Sequence, residues 1–112
     1  MLNAPQRPER EEIVMDESIV REHAEAHGRA VVSGDLRAAG ADLTSEAQGG
    51  APAIMGQLPK PLTGAEVLRI EGEGSEFVAH IKYWGPNDEK TVLSTWAESD
   101  GRPKITGLTI AG

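Results

Sequence analysis

The chain has no cysteine. This removes disulfides, thiolate metal sites and a cysteine nucleophile from consideration. Basic residues are in deficit, with 11 Lys and Arg against 18 Asp and Glu for a net charge of −7. Phosphate binding needs clustered Lys and Arg, so neither a nucleic acid nor an anionic membrane surface is an expected partner. No apolar run approaches the roughly 18 residues that a membrane-spanning helix requires. The first dozen residues are polar and interrupted by Pro5 and Pro8. They do not read as a secretory leader, and a cytoplasmic location is the expectation. Aromatic rings are few: one Phe, one Tyr and two Trp.

What remains is a composition suited to one folded domain. Hydrophobic residues make up 38% and charged residues 26% of 112 residues, enough to close a single core and too few residues for two. Residues 1–8 read as a loose tail and 9–112 as the domain. Pro8 followed by Glu9, Glu11 and Glu12 suits a helix N-terminus.

A helical pattern runs to Ser33. Ile13, Val20, Ala24, His27 and Val31 share one face, widened by Ile19, His23 and Ala30. Asp16 falls near that stripe, so either the helix is capped there or its first turns overhang the core. Gly34-Asp35 ends this helix and caps a short one carrying Leu36, Ala39 and Leu43. Ser45 to Gln48 fits a capping box that Gly49-Gly50 cuts short, and a last short helix is expected from Pro52 through Leu58.

After Pro61 the pattern turns to β. Four runs, 65–71, 76–84, 90–98 and 104–110, are separated by Gly72-Glu73-Gly74, Gly85 to Asp88 and Asp100 to Pro103. Short connections make neighbours antiparallel. The expected fold is α+β, with the N-terminal helices packed on the concave face of a curved four-stranded antiparallel β-meander. By alternation, Phe77, Ala79, Ile81, Tyr83, Leu93, Thr95, Ala97, Thr106, Leu108 and Ile110 are assigned to the helix side. Val78, His80, Trp84, Val92, Trp96 and Ile105 are assigned to the outer face. All four aromatic residues fall in the second and third strands. Two tryptophans on one exposed face mark an interface, and a homodimer through the sheet is the expected assembly.

The Gly34-Asp35-Leu36 junction and the hairpin Trp96-Ala97-Glu98-Ser99-Asp100-Gly101-Arg102 follow one another in an order that resembles the nuclear transport factor 2-like superfamily. That group includes SnoaL-like and steroid-isomerase-like proteins. The resemblance covers roughly residues 13–111. It implies a cone in which helices close over a bent sheet, frequently around a pocket, and it implies dimers through the sheet. It also allows the isomerase positions to be compared. The family's Tyr falls at His27, its base Asp near Ala51, and its protonated Asp at Leu93. Steroid-type isomerisation is therefore not expected. The Gly- and Pro-rich stretch 44–63 is short for a large member and implies a small cavity or none.

His27, mid-stripe on the first helix, is the candidate catalytic group, since an imidazole exchanges protons near neutral pH. The alternative is a core histidine bonded to a carbonyl, to Tyr83 or to Thr95. Expected pocket residues are His23, His27, Phe77, Tyr83, Leu93, Thr95 and Leu108. His23 and His27, four apart, have the spacing of a metal pair, but no Glu follows His23 and no third ligand is evident, so neither metal nor cofactor is expected. Three functions stay open. One is non-catalytic binding of a small apolar ligand or a partner. Another is a SnoaL-like acid–base enzyme (isomerase, cyclase or dehydratase) using His27 with Tyr83 or Thr95. The third is a subunit that binds a different protein through its outer sheet.

Overall fold

The computed structural model describes residues 15–111. The expected tail over 1–8 and the helical start over 9–14 lie outside the described residues. Three helices, α1 (Glu17–Ser33), α2 (Leu36–Ala41) and α3 (Ser45–Met55), precede four strands, β1 (Gly64–Glu73), β2 (Glu76–Trp84), β3 (Glu89–Ser99) and β4 (Arg102–Ile110). The strands form one antiparallel sheet in the order β1-β2-β3-β4. The fold is thus α+β, with α1 packed on β1 and β2 and α3 packed on β4.

Local chemistry sets the helix ends. Asp16 caps α1, its Oδ1 accepting from the Ile19 amide at 3.0 Å. This settles the choice offered by its place near the apolar stripe. Gly34 closes α1 in the left-handed region at φ 81°, a conformation that costs glycine nothing. Asp35 caps α2 through the Ala38 amide at 3.1 Å. The expected pair of short helices over 45–58 is instead one helix, capped by Thr44 and running through Gly49, Gly50 and Pro52 to Met55. Ala47, Ala51, Ile54 and Met55 recur at helical spacing and all pack against the core. That contact outweighs two glycines at about 1 kcal/mol each and the backbone donor lost at Pro52.

The hairpins determine which side chains face the helices. Gly74-Ser75 joins β1 to β2, and Asp100-Gly101, both at positive φ, joins β3 to β4 in the manner of a primed turn. The four-residue loop Gly85–Asp88 pairs Trp84 with Glu89. Odd-numbered residues of β2 therefore face even-numbered residues of β3. Phe77 pairs with Trp96, Ala79 with Ser94 and Ile81 with Val92. Val92, Ser94 and Trp96 are consequently buried beneath the helices. Leu93, Thr95 and Ala97 lie on the opposite face.

This corrects the sequence-based facing of β3. The alternation was right, but its phase is fixed by the loop and not by which face is more apolar. A register shift between Thr95 and Trp96 has a similar consequence in β4. It lets Ile105 pair with buried Trp96 while Leu108 and Ile110 pair with Ser94 and Val92, so all three face the helices. Ile105 too was expected outside, and it is fully buried.

Trp96 is the centre of the core, with no exposed surface. An indole can be buried only if its N–H finds an acceptor. Here Nε1 donates to Ser94 Oγ at 2.9 Å, and Ser94 Oγ donates to the Ala79 carbonyl at 3.2 Å. Trp84 remains on the outer face. Its ring lies over Gly64, where an added Cβ would collide with the indole, and Lys82 Nζ sits 5.7 Å from its centroid.

Candidate functional site

His27 lies in the buried stripe of α1 with Val20, Ala24, Gly28 and Val31. The helix can approach the sheet closely because Gly28 faces Ala65, where even a Cβ would make a 3.2 Å contact. The imidazole meets Trp96 edge-on, with centroids 6.2 Å apart and planes at 87°. His23, one turn earlier, is tilted against the same indole with centroids 6.3 Å apart. The Ser94 hydrogen bond fixes the indole, and the indole fixes the histidine ring.

The second partner of His27 comes from the end of α2. Residues 42–44 lie alongside β4. The Ile105 amide donates to the Asp42 carbonyl at 2.6 Å and the Thr44 amide to the Ile105 carbonyl at 2.9 Å, and Leu43 forms a parallel bridge with Ile105. This clamp aims Asp42 at α1. Its Oδ2 is 3.0 Å from His27 Nδ1, and its Oδ1 accepts from an Arg102 Nη at 2.7 Å. Arg102 opens β4 directly after the Asp100-Gly101 turn. The side chains of His27 and Asp42 are 7% and 13% exposed, while Arg102 reaches toward solvent. Its Nε is buried with no partner.

Beside this chain of contacts is a partly open pocket of about 510 Å³, within the size range of small-molecule sites. Its wall is mostly aliphatic, from Val31 of α1, Leu36 and Ala39 of α2, Ile54 and Met55 of α3, and Val92 and Leu108 of the sheet. Leu36 is 60% exposed and stands at the rim. Among the described residues, no Lys, Arg, Asp or Glu lines the pocket, and its polar side chains are those of His27, Tyr83 and Gln48. Gln48 Nε2 is turned to the carbonyls of Gly40 and Leu43. Among the described residues, His27 Nε2 and the Tyr83 hydroxyl have no hydrogen-bond partner. Burial pushes the Tyr83 phenol well above its ordinary value, so it stays protonated and can donate. Two further hollows, one between α1 and β1 and one beneath residues 55–62, contain neither group.

Of the pocket residues expected from sequence, the structure brings together His27, Tyr83 and Leu108. Phe77 is buried in the core away from the pocket, and His23 rests on Trp96. Leu93 and Thr95 are on the far side of the sheet, a consequence of the β3 phase. Of the six residues expected on the outer face, Val78, His80 and Trp84 are there. Val92, Trp96 and Ile105 are in the core, because the hairpin loop and the β4 irregularity turn them inward.

Asp42 and Arg102 were not anticipated. They are 15 and 75 residues from His27 in sequence, so no local spacing connects the three. One signal was present: Asp42 ends a helix, where the backbone dipole disfavours an anion, and an acid there calls for a compensating cation or donor. Among the described residues no three His, Asp or Glu side chains gather as a metal site would require. No described helix is long and apolar enough to cross a membrane. Compared with protein-family models, curated proteins and solved structures, the chain matches none of them.

Proposed function

We propose that the chain is a small-molecule-binding domain of the nuclear transport factor 2-like type, and that it takes a neutral, mainly aliphatic compound into the pocket beside His27. One observation carries this reading. Among the described residues, the pocket combines an uncharged aliphatic wall with two polar groups, His27 Nε2 and the Tyr83 hydroxyl, that have no hydrogen-bond partner. Both groups line the partly open pocket, and a ligand carrying one oxygen function would meet the lone pair of one and the hydroxyl of the other. The order of helix junction, short helix and β-meander supports the family reading, and the missing isomerase carboxylates argue against steroid-type chemistry.

The test is titration with N-phenyl-1-naphthylamine, an uncharged dye that brightens in apolar pockets, followed by displacement with medium-chain alcohols and ketones. Saturable brightening is expected, and it should be lost in Ala51→Phe, which fills the pocket from α3. No brightening, or brightening unchanged in a folded Ala51→Phe variant, overturns the reading.

A homodimer through the open sheet face is a separate proposal with a narrower base than six residues. It rests on Val78 and Leu93, diagonal neighbours on the two central strands, with His80, Thr95 and Trp84 nearby on a face that no described element covers. Sedimentation of the wild type should show a dimer and Leu93→Asp a monomer. Equal sedimentation of the two removes the proposal.

A further inference from the structure

We infer that the pocket is a proton-transfer site in which His27 Nε2 exchanges a proton with the bound compound, Asp42 acting as the positioning residue and Arg102 holding Asp42 in place. The inference rests on the ligand-binding reading and adds chemistry to it. An ionised carboxylate accepts hydrogen bonds and cannot donate. With one oxygen on the Arg102 guanidinium at 2.7 Å, Asp42 presents the other to His27 Nδ1 at 3.0 Å. Nδ1 must therefore carry a hydrogen, and the neutral ring keeps its lone pair on Nε2. The edge-on contact with Trp96 sets the plane of the ring, and the bond to Asp42 sets which nitrogen faces the carboxylate.

Among the described residues, the groups around the imidazole are Asp42 from the end of α2 with Arg102 of β4 behind it, Tyr83 from β2 and the indole from β3, with His23 one turn earlier on α1. The only anion among them is Asp42. When Nε2 takes a proton, the imidazolium that forms lies against this carboxylate, which stabilises it. The bond that breaks is an O–H or activated C–H of the ligand. Its electron pair stays on the ligand, the proton moves to Nε2, and the reverse step returns it. Nothing is oxidised or reduced. The Tyr83 hydroxyl, on the same pocket wall, is available to donate to the oxygen that gains the charge.

The experiment uses the full chain and 4-nitrophenol, a small uncharged phenol whose ionised form absorbs at longer wavelength. In the wild type the bound probe should show the phenolate band below the pH at which the free probe ionises. His27→Gln should bind it as the un-ionised phenol. Asp42→Asn should lower the bound phenolate-to-phenol ratio about tenfold, the effect of removing one adjacent opposite charge, and Arg102→Met should lower it less. Nitrogen-15 spectra supply a readout that packing alone would not move. His27 should be protonated on Nδ1 in the wild type and should shift toward Nε2 in Asp42→Asn. If the wild type and His27→Gln bind the probe in the same ionisation state, proton transfer is wrong while the pocket stands. The same follows if N-phenyl-1-naphthylamine binds and 4-nitrophenol does not. If neither probe binds, the ligand-binding reading falls and this inference with it.

Discussion

The two faces of the sheet contain the same kinds of residue in opposite circumstances. Each has a tryptophan and a histidine paired with a carboxylate at 3.0 Å. On the helix side, Trp96 is sealed and bonded to Ser94, and His27 meets an Asp42 that is 13% exposed. On the open side, Trp84 lies across Gly64, and His80 meets a Glu71 that is 51% exposed and also bridges to Arg69 at 2.9 Å. Equal distances do not make equal interactions. Water screens the outer pair and competes for its hydrogen bonds, whereas the inner pair is held by a clamped backbone on one side and a fixed indole on the other. The inner pair adjoins the pocket through His27.

The widest separation between the faces is expected for the tryptophans. Trp96→Ala should cost about 3–5 kcal/mol, the range for emptying a buried aromatic site, and urea unfolding should show it as a lowered midpoint. Trp84→Ala removes a half-covered ring and a cation–π contact, and should cost about 1 kcal/mol or less. Similar losses for both would mean that the outer ring contributes as much to the fold as the inner one. The carboxylates come next. Asp42→Ala strands the His27 Nδ1 hydrogen and the Arg102 guanidinium, and should cost about 2–3 kcal/mol. Glu71→Ala leaves its partners exposed to water and should change the unfolding midpoint much less. Ser94→Ala leaves the Trp96 Nε1 hydrogen buried without an acceptor, and should cost about 1–2 kcal/mol. Its tryptophan emission should report the altered surroundings of the ring.

The elements were legible because their signals are local. Gly34 and Asp35 announce a helix end and a helix start within two residues, and each turn between strands carries its own Gly, Asn or Asp. The facing of β3 was not legible from apolar content. Leu93, Thr95 and Ala97 compete closely with Val92, Ser94 and Trp96. The deciding information lay in the Gly85–Asp88 loop, since its length sets which residues pair. The β4 irregularity could not be anticipated from alternation, because it interrupts alternation. It let Ile105 join the core without displacing Leu108 and Ile110. The histidine was legible from its place in the stripe, but its orienting acid was not. Asp42 reaches His27 only because residues 42–44 run along β4, a contact between segments about 60 residues apart.

The smallest expected effect separates the two pairs by their environment alone. The hydrogen bond to His80, and after it the Arg69 charge, hold the Glu71 carboxyl below its ordinary value of 4.5. A carboxyl whose value falls on folding stabilises the fold at pH above its unfolded value. That contribution is lost as pH falls through the lowered, folded one. The difference in melting temperature between wild type and Glu71→Gln should therefore be present above a pH of about 4.5 and close below it. Because the pair is exposed, about 1 M salt should shrink this difference at neutral pH, where the Debye length is only about 3 Å. The same salt should leave the destabilisation by Asp42→Ala largely in place, since little solvent reaches between that carboxylate and its histidine. A salt response of equal size at both sites would show that the inner pair is open to water, and the contrast between the two faces would then be one of geometry without a difference in screening.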